Sequence, residues 1–529
     1  MSSHYPILPI VVPLAFAVLL LLTERLGIRS QRWLGFLGLG ATLVAIGLLL
    51  APAARGEIAV YLVGNWPAHL GIALAVDRLT VLMLAVTGVL SVAVLLYASS
   101  GWDEDAPHFH ALFQLQLAGL NGAFLTADLF NLFVFFEVLL IASYGLLLSG
   151  GRGARMAAGL HYVAFNITAS TLYLVAVGLL YGITGTLNMA EMGHRIATLA
   201  PADLGLVKAG GLLLLIVFCA KAALLPLNFW LPGTYSRASA PIAALFAVMT
   251  KLGVYAVLRV YTQVFGADSG GASGLAWSWL LPAATLGLML SALGALAADS
   301  LRRLAAYLVV GSAATLFIAV ALASPAAIGS GLYYLLHSTL IGGALFLIAD
   351  LVRGQRTLAG DGFHRIDTIR HTGLLGSLFL LAAVSAAGLP PLSGFIGKFS
   401  LMAAVPDGLE ATLWTAILVS SLLIVLALAR AGSRLFWQVP DTLAPASQAT
   451  ETVSDERPAP TRLSRRELAA TALLLALGIA LTIGAGPLLR YTYETGHQLA
   501  HPGNYRHAVR SATPIASPGH APAPGEHHP

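Results

Sequence analysis

Charge is scarce in this sequence. Of its 529 residues, 10% are Asp, Glu, Lys or Arg and 57% are hydrophobic, whereas a soluble domain carries about 25% charged residues. Water is therefore excluded as the main solvent. Cysteine is scarcer still. Cys219 stands alone inside an apolar run, which excludes a disulfide framework and Cys-built metal sites and leaves a small buried hydrophobe. There is no P-loop, no dinucleotide glycine fingerprint, no Cys-x-x-Cys and no His-Glu-x-x-His. Nothing is built to hold nucleotide, flavin, haem or an iron–sulfur cluster, so neither a cofactor nor a metal nor enzyme chemistry is expected. The six histidines after Tyr493 are too irregularly spaced to make a metal site. The formal net charge of +5 comes from arginines in short loops. No basic stripe with interleaved aromatics accompanies it, so a nucleic-acid partner is excluded.

What is present is a near-continuous series of apolar runs long enough to cross a bilayer, which takes about 17–25 residues each. They fall at 5–23, 32–51, 78–98, 108–127, 129–149, 156–181, 205–225, 239–263, 275–298, 303–323, 328–351, 373–403, 411–436 and 467–489. The expected fold is an all-α polytopic membrane protein of about fourteen helices. The first run lacks the basic flank and small-residue cleavage site of a signal peptide, and its charges follow it. Glu57 to Asp77, with Asn65-Trp66-Pro67, reads as a turn or hairpin outside the membrane plane. Residues 438–466 read as a polar loop and 491–529 as a disordered, His-rich tail. Eighteen of the loop Lys and Arg fall on one side of this topology and eight on the other. The positive-inside rule then puts both termini outside.

Two runs are broken. One reads Lys221-Ala-Ala-Leu-Leu-Pro226-Leu-Asn-Phe-Trp-Leu-Pro232-Gly233, the other Gly388-Leu-Pro390-Pro391-Leu-Ser-Gly394-Phe-Ile-Gly397-Lys398. Proline removes a helix hydrogen bond. In lipid the freed backbone is tolerated only where protein or a wet cavity meets it. Paired interruptions of this kind point to a transporter built from repeats.

The lysines sharpen this reading. There are four against 25 arginines, and Lys221, Lys251 and Lys398 lie inside apolar runs. Arginine stays charged under all conditions, whereas lysine can give up its proton. Glu137, in Phe133-Val-Phe-Phe-Glu137-Val, is the mid-run acid, and Lys221 is the partner expected for it. Lys251 and His337 continue a polar line toward Lys398. His161, Tyr162, Asn166, Thr168, Ser312, Thr315 and Ser338 are candidates to hold water along it. Asp128, Arg259 and Asp350 sit near the ends of runs and read as interface markers.

At Lys221-Ala-Ala-Leu-Leu-Pro-Leu-Asn-Phe-Trp-Leu-Pro-Gly and Thr250-Lys251-Leu-Gly-Val-Tyr-Ala-Val-Leu-Arg259, the chain resembles the antiporter-like membrane subunits. This family is shared by respiratory complex I, membrane-bound hydrogenases and the Mrp (Mnh, Pha) cation/proton antiporters. The resemblance is strongest from Asp128 to Arg434. Asn65-Trp66-Pro67, Asp128-Leu-Phe-Asn-Leu-Phe-Val-Phe-Phe-Glu137-Val, Gly182-Ile-Thr-Gly-Thr-Leu-Asn-Met-Ala and the end of the chain soon after the last run resemble the D branch of the Mrp antiporters. The resemblance implies two inverted five-helix repeats, at 108–263 and 275–437, after an N-terminal unit at 1–107 and before a last helix at 467–490. It implies broken helices seven and twelve, and proton-path roles for Glu137, Lys221, Lys251, His337 and Lys398. It also implies partner subunits of A, B, C, E, F and G type, a bacterial inner membrane, and Na⁺(K⁺)/H⁺ antiport driven by the proton motive force. The alternative is a proton-pumping subunit of an NADH–quinone oxidoreductase or hydrogenase. Many relatives carry a lysine about a turn after His337; here Gly342 and Gly343 follow, so the link between the half-channels rests on His337 and water.

Overall fold

The computed structural model describes residues 4–151, 153–356, 359–364, 369–437 and 463–514. The first helices are α1 (Leu8–Leu22), α2 (Ile28–Ala54), α3 (Arg78–Ala98), α4 (Phe109–Leu125), α5 (Leu129–Leu148) and α6 (Ala154–Thr184). Next come α7 (Met189–Ala197), α8 (Leu204–Lys221), α9 (Trp230–Tyr235), α10 (Ala240–Phe246) and α11 (Met249–Gln263). The second half runs through α12 (Trp277–Ala297), α13 (Leu301–Ala321), α14 (Pro325–Arg353), α15 (Thr372–Ala387), α16 (Ser393–Ala403) and α17 (Glu410–Gly432). It closes with α18 (Arg465–Ile483), α19 (Ala485–Ala500) and α20 (Gly503–Arg510).

Among the described residues, twelve helical segments are long and apolar enough to cross a membrane. Helix α4 and the interrupted pair α15–α16 occupy the remaining two apolar runs, but α4 has 17 residues and α15 has 16. Burial separates a centre from a rim. The apolar windows of α10–α11, α14 and α13 are 100%, 94% and 89% buried, against 28–39% for α18, α6 and α17. A helix apolar all round belongs in the interior or against lipid, and here both destinations are used.

The segment 57–77 is a hairpin. Strands β1 (Ala59–Leu62) and β2 (Ala73–Val76) pair antiparallel, Ala59 opposite Val76. Ala127 N–H donates to Ala73 O at 2.9 Å, and Leu74 bridges Thr126. The hairpin thereby closes over the α4–α5 turn and marks one end of the bundle. His4 Nδ1 meets Tyr61 Oη at 3.0 Å, and Tyr505 of α20 stacks on Arg259 beside Asp77. Both described ends of the chain therefore lie at this end.

Two expectations are revised. Arg259, Asp128 and Asp350 stand near helix ends, as expected, but each is buried against protein partners. Asp128 caps α5 by accepting from Asn131 N–H, and Asp350 accepts from Tyr97 Oη at 2.8 Å. Arg259 is 1% exposed and grips Asp77 with both forks, at 2.7 and 2.8 Å. It also reaches Thr80 Oγ1 and Tyr255 Oη. A guanidinium that far inside persists only with its hydrogen bonds filled. The second correction concerns residues 491–514, where ordered helix stands in place of the expected disorder. Tyr491 Oη donates to Arg78 O, Glu494 pairs with Arg78, and Gly496 packs so closely on Pro325 O that a Cβ would lie 2.3 Å from it. Most of the 438–466 loop and the end of the tail lie outside the described residues.

Asp77→Ala would leave the Arg259 charge buried and unmatched, a loss of about 3–5 kcal/mol. The thermal unfolding midpoint of the purified protein should fall sharply. It should recover in part when Arg259→Met removes the stranded charge.

Candidate functional site

Five ionisable side chains lie within the apolar helices where the sequence placed them, and the breaks explain their surroundings. Helix α8 ends at Lys221, residues 222–229 are non-helical, and α9 follows. Ala223 there takes φ +55°, a left-handed conformation that helix cannot continue through. The carbonyl freed at Ala220 is met by Trp230 Nε1 at 3.1 Å. In the second half α15 ends at Ala387 and α16 begins at Ser393. Lys398 Nζ reaches back across that break to Ala387 O at 2.9 Å and to Ser421 Oγ of α17 at 2.9 Å.

Between α10 and α11, residues 247 and 248 keep right-handed helical dihedrals but tighten the turn, Ala247 N–H bonding to Ala244 O and Val248 N–H to Leu245 O. Tyr235 Oη donates to Phe246 O at 3.0 Å. Ala240–Gln263 therefore runs as one apolar span of 24 residues, and Lys251 lies at its middle, as expected. Fully buried, it donates to Ser312 Oγ at 2.7 Å and to Thr250 Oγ1 at 3.3 Å.

Glu137 and Lys221 do not form the direct ion pair expected of them. Glu137 is half-buried and accepts a short hydrogen bond from Ser170 Oγ of α6. Lys221 Nζ has no hydrogen-bond partner among the described residues; it lies over the Phe136 ring, 4.8 Å from the centroid. The two remain within electrostatic reach. They stand as a separated pair with a phenyl ring beside the amine. A ring face attracts a cation, yet it supplies no proton acceptor.

His337 Nδ1 lies 2.9 Å from Ser393 Oγ, which in turn donates to Gly478 O at 3.1 Å. With the serine proton committed, Nδ1 carries the imidazole hydrogen and Nε2 keeps the lone pair. A cavity of about 30 Å³ joins this group to its neighbours, enough for at least one water. Ser312, Thr315, His337, Ser338, Gly342 and Lys398 are among its walls. The partner of Lys251, the imidazole and Lys398 therefore share one chamber whose walls are otherwise largely apolar, Leu308, Val309 and Ile341 among them. His161 and Thr168 do not belong to this line: both are exposed on the rim of α6 and bond to their own helix. Tyr162 meets Ser143, and Asn166 bonds to Tyr162 O.

The partners of the three lysines are a ring, hydroxyls and a carbonyl; among the described residues no carboxylate lies within 4.0 Å of any of them. A hydroxyl can accept from an ammonium and donate to a neutral amine. Ser421 can therefore serve Lys398 in both protonation states, which a carboxylate could not. Ser312 gives its hydrogen to Val309 O at 2.7 Å and accepts from Lys251. Ser170, Ser393 and Ser421 were missed by sequence reasoning. Serine in apolar helices is common, and only the fold turns these three toward the axis.

A family model described as the transmembrane region of NADH:quinone oxidoreductase and Mrp antiporter subunits matches residues 126–426. The chain is 39% identical to the D subunit of a probable K(+)/H(+) antiporter of Rhizobium meliloti, over 96% of this chain and 98% of that one. It is 35% identical to the D subunit of the Na(+)/H(+) antiporter of Bacillus subtilis, over 96% and 99%. Among solved structures it superposes on a chain of the Mrp complex from Dietzia sp. DQ12-45-1b. There the TM-score is 0.85 and the identity 28%, covering 96% of this chain and all of that one.

The second break is tightly packed. A Cβ on Gly394 would lie 2.1 Å from Ser385 O and 2.8 Å from His337 Nε2, whereas one on Gly342 would meet its neighbours at 3.6 Å or more. Gly394→Ala should destabilise the protein by about 1–3 kcal/mol or more, with Gly342→Ala close to neutral. Thermal unfolding of the two variants side by side checks the contrast.

Proposed function

The chain belongs to the NADH:quinone oxidoreductase/Mrp antiporter family of membrane subunits, and from that premise we propose that it is the D-type subunit of a multisubunit Na⁺(K⁺)/H⁺ antiporter. The cation/proton antiporter subunit reading rests on the near full-length similarity to antiporter D subunits and to the Mrp complex chain. The subunit is a secondary transporter component, driven by the proton motive force. It works with A-, B-, C-, E-, F- and G-type partners in a bacterial inner membrane. Fourteen crossings in two inverted repeats, helices four to eight and nine to thirteen, fit the fourteen apolar runs. The hairpin end faces outward, since Arg32, Arg155, Arg237, Arg302, Arg303, Arg353, Arg430 and Arg466 gather at the other end.

One observation carries the mechanism: three buried lysines without carboxylate partners, two of them tied by Ser312 and Lys398 to a single cavity. Glu137, held by Ser170, takes up or releases a proton at the edge of the bundle. Its charge state acts on Lys221 across the Phe136 ring, and the amine responds by releasing or binding a proton. Lys251 passes protons through Ser312 and cavity water to His337, whose Nε2 lone pair can accept one. Lys398 is the last amine of the line, where Ser421 can exchange its hydrogen-bond role as the proton leaves. Transport of this kind needs each group to exist in both states, and hydroxyl partners allow that.

The direct test is sodium- or potassium-dependent proton flux in everted vesicles bearing the whole complex, with and without this subunit. Flux unchanged by its deletion refutes the reading. Glu137→Gln should abolish exchange while the complex still assembles, because glutamine keeps the Ser170 hydrogen bond but carries no proton to give. Assembled complex exchanging at the wild-type rate would exclude Glu137 from the path.

Lys221→Arg is expected to fail nearly as completely as Lys221→Ala, measured in the same vesicles. Arginine keeps the charge over Phe136 but never releases its proton in a protein. A merely electrostatic role for Lys221 would instead be met by arginine at a large fraction of the normal rate.

A further inference from the structure

Away from the central axis, α4 carries buried polar side chains that the mechanism above does not use. His110 and Gln114, one helical turn apart, are 3% and 0% exposed and face α2. Gly35 and Gly38 make room for them: a Cβ on Gly35 would lie 2.7 Å from His110 Nδ1, and one on Gly38 would lie 2.9 Å from Gln114 Nε2. Within the arginine-rich end, His110 Nε2 lies 3.0 Å from Asp103 Oδ2. Arg32 grips the same carboxylate with two bonds of 2.7 Å and reaches Glu104 at 2.9 Å. Burial pushes the Asp103 carboxyl up, but the hydrogen bonds from Arg32 and His110 outweigh it and hold the group below the usual carboxylate range. Asp103 is therefore a carboxylate at neutral pH and fixes the imidazole hydrogen on Nε2.

That leaves Nδ1 as a lone pair. The Gln114 amide gives its N–H to Gly35 O at 2.9 Å, so its Oε1 is an acceptor as well. Neither Nδ1 nor Oε1 has a hydrogen-bond partner among the described residues. Two buried acceptors thus face the same stretch of α2, neither with a protein donor, and buried polar groups seldom remain unmet. One added proton relieves this. On Nδ1 it turns an acceptor into a donor, which can supply Oε1 across one water. Charge favours the same outcome. Arg32, Asp103 and Glu104 together carry one negative charge in excess, which an imidazolium would balance. The other neighbours are apolar: Phe109 packs edge-on at 5.2 Å, and Phe16 of α1 lies against Gly38.

We propose that His110 is a proton-binding site separate from the central lysine axis, its proton held between Asp103 and Gln114, and that its occupancy is felt by Glu137 through the α4–α5 contact. That contact is tight enough to transmit it. A Cβ on Gly119 would lie 2.8 Å from Leu139 N, and one on Gly122 would lie 2.2 Å from Phe135. Those two residues flank Glu137 on α5.

The test uses the complete complex with ¹⁵N-histidine-labelled subunit, the His110 signal being the one missing from His110→Gln. As the pH is raised, the His110 signal should pass from the doubly protonated to the neutral form. Gln114→Leu, which removes the acceptor for Nδ1–H, should move the midpoint down by about one pH unit, the size of one charged hydrogen bond. Gln114→Glu, which adds a negative charge, should move it up. The pH dependence of cation/proton exchange should shift in the same opposite directions. A His110 signal that stays neutral throughout, as a water-bridged imidazole would, overturns the proposal. So does a midpoint indifferent to both Gln114 substitutions. Exchange profiles unmoved by either variant overturn the link to Glu137. The nuclear signal reads the site even if no exchange is found, so a failure of the antiporter reading is told apart from a failure of this one.

Discussion

A carbonyl freed from a helix inside hydrocarbon has no water to turn to, and each one left unmet costs several kcal/mol. The organisation of this protein follows from how its broken helices meet that demand. Ala220 O is taken by the Trp230 indole, Phe246 O by the Tyr235 hydroxyl and Ala387 O by the Lys398 ammonium. Tyr255 does the same for Phe124 O at the end of α4, at 2.6 Å. Each of these groups comes from beyond the turn it repairs, so an opening in one helix is fixed by the packing of others. In the third case the repairing group is itself ionisable, which ties the geometry of the break to the charge on Lys398.

The same economy of partners sets the character of the axis. A carboxylate beside each lysine would have been a stronger partner, but it would have favoured one protonation state. Ser312 and Ser421 are weaker, neutral partners. Fixed charge pairs are instead placed at the two ends of the bundle, as in Arg259 with Asp77 or Arg302 with Asp361. There they hold helix ends and caps in register. The division is physical: the buried lysines have neutral partners, and these buried arginines have charged ones. Three positions of α11, Lys251, Tyr255 and Arg259, lie on one face and span both regimes.

The sequence by itself determined the solvent, the series of apolar runs, the hairpin at 57–77, the two proline-marked breaks and the identity of the buried ionisable residues. These are legible because each is a departure from a strong rule: charge is rare in lipid, proline is rare in mid-helix, and lysine is rare in this chain outside its apolar runs. Tertiary structure alone decided the rest. The tightened turn at 247–248 has no Gly or Pro to announce it, and Tyr235 meets Phe246 O there. The Glu137–Lys221 separation depends on where Ser170 and Phe136 fall when α5, α6 and α8 pack. Arg259, near the end of its run, looked like an interface residue until Asp77 and Tyr505, 182 residues before it and far after it in the chain, closed around it. Helices α19 and α20 are ordered by docking on α14, α3 and α7; each does carry a helical amphipathic period, which the polar, histidine-rich composition masks. Composition and local propensity report what a segment must avoid; only packing reports which partner it finds.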